Sequence, residues 1–285
     1  DVGLRGTYGE ELIHADHRVL HMAVSEEQWV LEGEPQALDD QRCCARVLWD
    51  RERPDWMAPM AETLANFRVY GSFWLNQVRK PAADDLPSGF LHGTGRNLWS
   101  VLQNWKSAPI RYQGQFDWVT QRAREAFPEL MGSLEFDRGL PYLFLPDATD
   151  PGDGLPPMRA ADGLLTGLLQ LTAVAGAKRG SIIAFDEIEN QLHPHAIRQI
   201  LRAMRQLAEE RDLTIIVTSH SPVVMNTFRD EPDRFFVLQP RAETSPTALT
   251  ELHDEDWLAA FALGDLYDRL EFAAPTLIPA EATEG

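Results

Sequence analysis

Two short apolar runs, each ending abruptly in polar residues, organise the middle of the chain. Ser181–Phe185 stops at Asp186 and Glu187, and Leu213–Val217 repeats the pattern and stops at Thr218, Ser219 and His220. Runs of this length with polar ends predict buried parallel strands that open onto a site. Between them, His195–Arg211 spaces Ile197, Ile200, Leu201, Met204, Leu207 and Ala208 so that a helix carries one apolar stripe. Strand, helix, strand is a βαβ unit. It brings both polar termini to the carboxyl edge of one sheet, where open α/β folds bind ligands.

Elsewhere the pattern is shorter and more mixed. Glu11–Ala23 and Gln28–Glu32 alternate and predict short antiparallel strands. Residues 36–66 include the turn Arg53–Pro54 and Pro59, and Ala61–Phe67 reads as a helix leading into a strand over Phe67–Phe73. Phe73, Trp74 and Leu75 are expected in the core. Residues 80–96 form a loop by their turn chemistry. Asn97–Trp105 and Phe116–Phe127 read as amphipathic helices; Arg122 and Arg124, off the apolar face of the second, are expected to be solvated. Tyr142–Leu145 reads as a strand, Asp147–Pro157 as a loop and Leu164–Ala175 as an apolar helix. Arg234–Leu238 and Ala248–Leu252 are expected to join the same sheet, followed by a helical stretch over Asp254–Phe272. The predicted organisation is a β-rich part over 1–79, a loop and helical insertion or lid over 80–135, an α/β core over 136–272, and a mobile tail over 273–285.

The chain has 285 residues, enough for a full core, with 44% hydrophobic and 25% charged residues. No apolar run approaches the roughly 20 residues that span a bilayer, and no signal peptide opens the chain. A cytoplasmic protein with no membrane segment is the expectation. Cys43 and Cys44 are neighbours, which bridge poorly and do not complete a zinc site, so a structural role is expected. The net charge of −18, from 26 basic and 44 acidic residues, argues against a broad nucleic-acid surface, although a local arginine patch remains open.

The strand ends carry candidate chemistry. Two carboxylates at the end of a buried run are costly unless a metal or a proton-transfer role offsets them. Hydrolysis of a nucleoside triphosphate needs Mg²⁺ positioning, an oriented water and stabilised charge on the γ-phosphate. Asp186 is placed to hold Mg²⁺, Glu187 to activate the water, and His220 to bond the γ-phosphate. Upstream, Ala161 or Asp162 sits near a helix N-cap and Gly163 permits a close backbone approach. Free N–H groups at such a start favour an anion.

IIAFDEIENQLHP resembles the Walker B and D-loop segments of ABC-type ATPase heads in the RecF/SMC-like branch, including AAA-family ATPases of the OLD and anti-phage kind. VTSHSP resembles their switch-histidine loop, and AADG at 160–163 resembles their shortened signature motif, with Ala161 in place of the usual serine. The likeness covers residues 140–240 well and residues 1–135 only in general plan. It implies a P-loop NTPase sheet flanked by helices, ATP and Mg²⁺ as cofactors, and two ATPs sandwiched in a homodimer. It further implies Mg²⁺ at Asp186, Glu187 as base, and His220 and Ser219 in the γ-phosphate loop. Asn190 would begin a D-loop crossing the dimer interface, and Ala161, Asp162 and Gly163 would meet the ATP of the opposite subunit. For Asn190, a plain turn residue at the start of a helix is the alternative. DNA repair or anti-phage defence beside an effector nuclease is the implied setting.

One part of that pattern is missing. A phosphate-cradling loop needs G-x-x-x-x-G-K-[ST], and Lys80, Lys106 and Lys178 follow Arg79, Trp105 and Ala177. With Asp1 rather than Met opening the chain, the loop is expected upstream of it, in a partner chain, or lost. The rivals are a degenerate interaction platform and a metal-dependent nuclease built on Asp186, Glu187 and Glu189. His193 and His195 also flank Pro194 in a way that could mimic a metal pair.

Overall fold

The computed structural model describes residues 9–14, 17–25, 28–31, 34–36, 44–81, 88–112, 114–238, 246–252 and 263–264. The chain divides into two units, Asp1–Asn66 and Phe67–Gly285. Cys43, most of the expected 254–272 helix and the 273–285 tail lie outside the described residues.

The first unit opens with β1 (Gly9–His14), β2 (His17–Ser25), β3 (Gln28–Leu31) and β4 (Glu34–Gln36), an antiparallel meander in that order. The alternating stretch 11–23 therefore falls on two paired strands, with a register shift between Leu12 and Ile13. Helix α1 (Cys44–Arg51), which the mixed pattern of 36–66 did not reveal, packs on β1 and β2 and buries Leu48. Helix α2 (Ala58–Asn66) starts earlier than expected. Pro59 lies in its first turn, where a missing N–H costs nothing.

The second unit contains β5 (Arg68–Tyr70), α3 (Leu75–Val78), α4 (Leu98–Ser107), α5 (Pro109–Tyr112) and α6 (Gln115–Ala126). A hairpin of β6 (Ser133–Asp137) and β7 (Leu140–Phe144) follows, then α7 (Asp162–Ala175), β8 (Ile182–Phe185), α8 (Pro194–Arg211) and β9 (Thr214–Val217). It closes with α9 (Pro222–Thr227), β10 (Phe236–Val237), β11 (Thr247–Ala248) and α10 (Leu249–Leu252).

Strands β5, β8 and β9 form a parallel sheet in the order β5-β8-β9. The βαβ unit is as the periodicity predicts. Helix α7 is apolar on every side and buried from Leu164 to Ala175, so it lies inside the unit rather than on its surface. It packs against α4, α6 and α8. The expected insertion thus shares one core with the sheet, in which Trp99, Leu102, Trp105, Val119 and Ala123 meet Leu165, Leu168 and Ile200. Gly167 allows this approach, since a Cβ there would lie 2.4 Å from the Phe127 ring.

Several expectations are corrected. Among the described residues, strands β10 and β11 pair with each other and not with the parallel sheet, and 249–252 is helical, with Leu249 turned into the interior. Trp74 is 52% exposed, while Phe73 and Leu75 pack on the core. Arg122 and Arg124 are bonded rather than merely solvated. Arg122 donates to Glu125 and Gln206 at 2.8 Å each, and Arg124 donates to the Gly132 carbonyl at 2.5 Å. Strand β6 escaped the sequence reading, yet Arg138 and Gly139 both have positive φ, the two-residue turn that suits a twisted hairpin.

Candidate functional site

The β5–β8 ladder runs one residue past β8, where the Asp186 N–H donates to the Tyr70 carbonyl at 3.0 Å. Glu187 then leaves the sheet with φ +48. A left-handed glutamate costs about 1–3 kcal/mol and persists only where its surroundings hold it. Here they do. The Glu187 N–H donates to Thr218 Oγ1 at 2.9 Å, and its carbonyl accepts the Asn190 N–H at 3.0 Å. The Thr218 hydroxyl donates in turn to Asp186 Oδ1, so one side chain at the end of β9 ties both acids at the end of β8. The Asn190 amide donates to Glu187 Oε2 at 2.6 Å.

The rest of the turn is pinned from α7. Gln170 Nε2 donates to the Ile188 carbonyl at 2.8 Å, and Thr166 Oγ1 donates to Gln191 Oε1 at 3.2 Å. A Cβ at Gly163 would lie 2.7 Å from the Gln191 carbonyl oxygen. The glycine is therefore required by this chain's own 187–191 turn. On the β9 side, the His220 N–H donates to Glu189 Oε1 at 2.7 Å, and Ser219 Oγ accepts the Ser221 N–H at 3.0 Å.

Asp186, Glu187, Asn190 and the 218–220 segment thus meet at one sheet edge, with Gly163 adjoining through Gln191. Ala161 is the N-cap of α7 and makes no side-chain cap bond. Asp162 is half exposed and ion-paired with Arg79. Asn190 does not begin a helix: α8 starts at Pro194, capped by His193 Nδ1, which accepts from the His195 N–H at 3.3 Å. His195 Nε2 lies 3.1 Å from the Glu125 carbonyl, so the two histidines serve the helix start.

A cavity of about 130 Å³ lies at the carboxyl ends of β5 and β8, lined by Tyr70, Gly71, Ser72, Gln170, Asp186, Glu187 and Asn190 among others. Sites that enclose a small ligand measure roughly 300–1,000 Å³, so this cavity is too small to enclose one. Gln170 Oε1, buried beside it, has no hydrogen-bond partner among the described residues. Among the described residues no three His, Cys, Asp or Glu side chains converge as a metal cage. A strand-end carboxylate with polar neighbours nonetheless fits Mg²⁺, which keeps much of its water and binds through one or two carboxylates and phosphate oxygens. Glu189 Oε1 accepts the His220 N–H, and among the described residues Glu189 does not converge with Asp186 and Glu187 into a three-acid metal group.

Tyr70 closes one side of the cavity. Burial pushes its phenol up to about 12 against a small opposing pull from the Arg68 guanidinium, and the hydroxyl donates to the Leu91 carbonyl at 3.1 Å.

Gln170 and Arg79 escaped the sequence reading, Thr218 entered it only as a polar strand end without a role, and Glu189 only as a ligand of the rival nuclease. Thr218 is the first polar residue after an apolar strand and Gln170 a lone amide in an apolar helix, both readable signals. Arg79 had none, because its partners lie about eighty residues away.

Comparison with known proteins comes from three directions. Residues 137–226 match the model of a family described as "AAA domain, putative AbiEii toxin, Type IV TA system". None of the curated proteins matches the sequence. Among solved structures, the crystal structure of the SmcHead bound to the C-winged helix domain of ScpA is similar over 82% of this chain and 68% of that one. The identity is 12% and the TM-score 0.40. Among the described residues no helix is long and apolar enough to cross a membrane. The stretch 137–226 that is similar to this AAA-domain family carries the carboxylate pair at the end of the parallel strand β8.

Proposed function

We propose that the chain is the catalytic part of an ATP-hydrolysing head that works as a nucleotide-sandwich dimer. The observation that carries this reading is the joining of Asp186, Glu187 and Thr218 where β8 and β9 end side by side. Asp186 would hold Mg²⁺ through water, with Thr218 fixing its carboxylate. The ion, when bound, would neutralise charge on the β- and γ-phosphates. Glu187 acts as general base. Asn190 holds one of its oxygens, and the other takes the proton of the attacking water. His220 and Ser219 contact the γ-phosphate from the 218–220 segment, which Glu189 anchors by its backbone.

The shallow cavity supports an arrangement in which the triphosphate lies between two subunits. Ala161, Asp162 and Gly163 then offer the N-terminus of α7 to the nucleotide held by the partner subunit. The 285 residues contain no phosphate-cradling lysine loop, so turnover needs one from outside them. That same absence favours a second reading, a degenerate platform that retains the fold to bind an effector. The setting we infer from the motif resemblance is anti-phage defence or DNA repair, in the cytoplasm, beside an effector nuclease.

ATP binding and turnover by the full-length protein, with Glu187→Gln as control, separate the two. Turnover abolished by Glu187→Gln, with ATP-dependent dimers trapped, is the expected result. A wild-type protein that neither binds nor hydrolyses ATP would leave the platform reading.

A further inference from the structure

The turn before α7 is held by one distant side chain. Arg79, which caps the C-terminus of α3, sends its guanidinium to residues 157–162. Its Nη1 lies 2.8 Å from the Ala160 carbonyl oxygen, 3.0 Å from that of Met158 and 3.2 Å from that of Pro157. Its Nη2 donates to Asp162 Oδ1, closing an ion pair. Three carbonyls and a carboxylate thus converge on one planar cation, where the short helical turn Pro157–Arg159 gives way to α7. Arg79 itself is anchored. The preceding carbonyl, of Val78, accepts from Trp99 Nε1 at 2.6 Å, and the side chain is only 21% exposed.

We propose that Arg79 is the positioning residue of the 160–163 turn, fixing its backbone and cancelling the charge of Asp162 so that a triphosphate can approach. This deepens the reading above and rests on it, since that reading brings Ala161, Asp162 and Gly163 to a nucleotide. Two physical needs meet here. An anion at a helix start is drawn by the free N–H groups, yet the Asp162 carboxylate beside them repels it. A guanidinium paired with Asp162 offsets that repulsion. The fork also suits the task better than an ammonium, because several donors in one plane serve several acceptors at once. Arg79 touches neither the nucleotide nor the reacting atoms and works through the turn.

The test uses the full-length protein as wild type, Arg79→Met, Arg79→Lys and the double variant Arg79→Met/Asp162→Asn. ATP turnover is followed against ATP and protein concentration, with amide hydrogen exchange at residues 158–165 and the melting temperature. Arg79→Met is expected to lower kcat on the order of 100-fold, the scale of a misplaced reacting group, to weaken ATP-driven dimerisation, and to speed exchange in the turn. Arg79→Lys should not restore turnover. The double variant should recover part of the dimerisation, and the defect of Arg79→Met should shrink with added salt as the uncovered carboxylate is screened.

Unchanged turnover per folded subunit in Arg79→Met, or lysine performing as arginine does, overturns the proposal. A wild-type protein without ATP turnover would sink the functional reading instead. The exchange measurement then still decides whether Arg79 holds the turn: equal protection in wild type and Arg79→Met sinks that as well.

Discussion

Thr218 donates its hydroxyl to Asp186 Oδ1 while the same oxygen accepts the Glu187 N–H. A strand-end acid and the left-handed residue after it are thereby locked to the neighbouring strand. Valine at position 218 keeps the shape and removes both bonds. These groups are exposed, so water takes over the lost bonds and the cost is about 1 kcal/mol or less. Thr218→Val should lower stability by that amount in denaturant melts and reduce ATP turnover at least tenfold, about 1.4 kcal/mol in the barrier. Thr218→Ser should behave close to wild type. Equal turnover in the valine variant would mean the acids are oriented by something else.

Gly163 stands where the backbone of the 187–191 turn comes closest to α7. An added methyl would sit 2.7 Å from a carbonyl oxygen that cannot rotate away. Gly163→Ala is expected to cost about 1–3 kcal/mol as an overpacking change and to displace Gln191. Turnover should fall further than the melting temperature suggests. Wild-type kinetics in this variant would remove the turn from the site.

Glu189 links the two strand ends by backbone rather than by chemistry. Glu189→Gln keeps an oxygen for the His220 N–H and should preserve most of the turnover. Glu189→Ala should lose roughly tenfold, with stability changing by about 1 kcal/mol or less, since the bond is solvent-accessible. The pair of variants, assayed side by side, distinguishes a positioning acid from a metal ligand: a ligand would not tolerate the amide.

Tyr70 predicts an alkaline transition. Its folded phenol titrates near 12 against about 10 for a free tyrosine, so the folded state favours the protonated form. The resulting stability is complete below pH 10 and is lost as pH rises from about 10 towards 12. Tyr70→Phe should abolish this share of the alkaline loss, at about 1 kcal/mol for the bond to Leu91. Denaturant melts of both proteins across that range make the comparison. Parallel curves would show that residue 70 ionises as freely when folded.

Local pattern along the chain was enough for the βαβ unit, because the apolar stripe of α8 and the two bounded apolar runs have no other way to be buried together. It was enough, too, for the placing of Asp186, Glu187 and residues 218–220 at one edge, since parallel strands must end on the same side. The strands expected over 234–238 and 248–252 show the limit of such reasoning. Two-residue ladders and a four-residue helix have no period long enough to read. Arg122 and Arg124 fell outside it for a different cause, since Gln206 and the Gly132 carbonyl, which they reach, lie outside α6. The residues in order therefore determined which chemistry meets at the sheet edge. Only the tertiary structure decided how it is held: by a threonine on the next strand, an amide inside α7 and a guanidinium from α3. Hydrogen bonds between groups far apart in sequence leave no periodic trace in it.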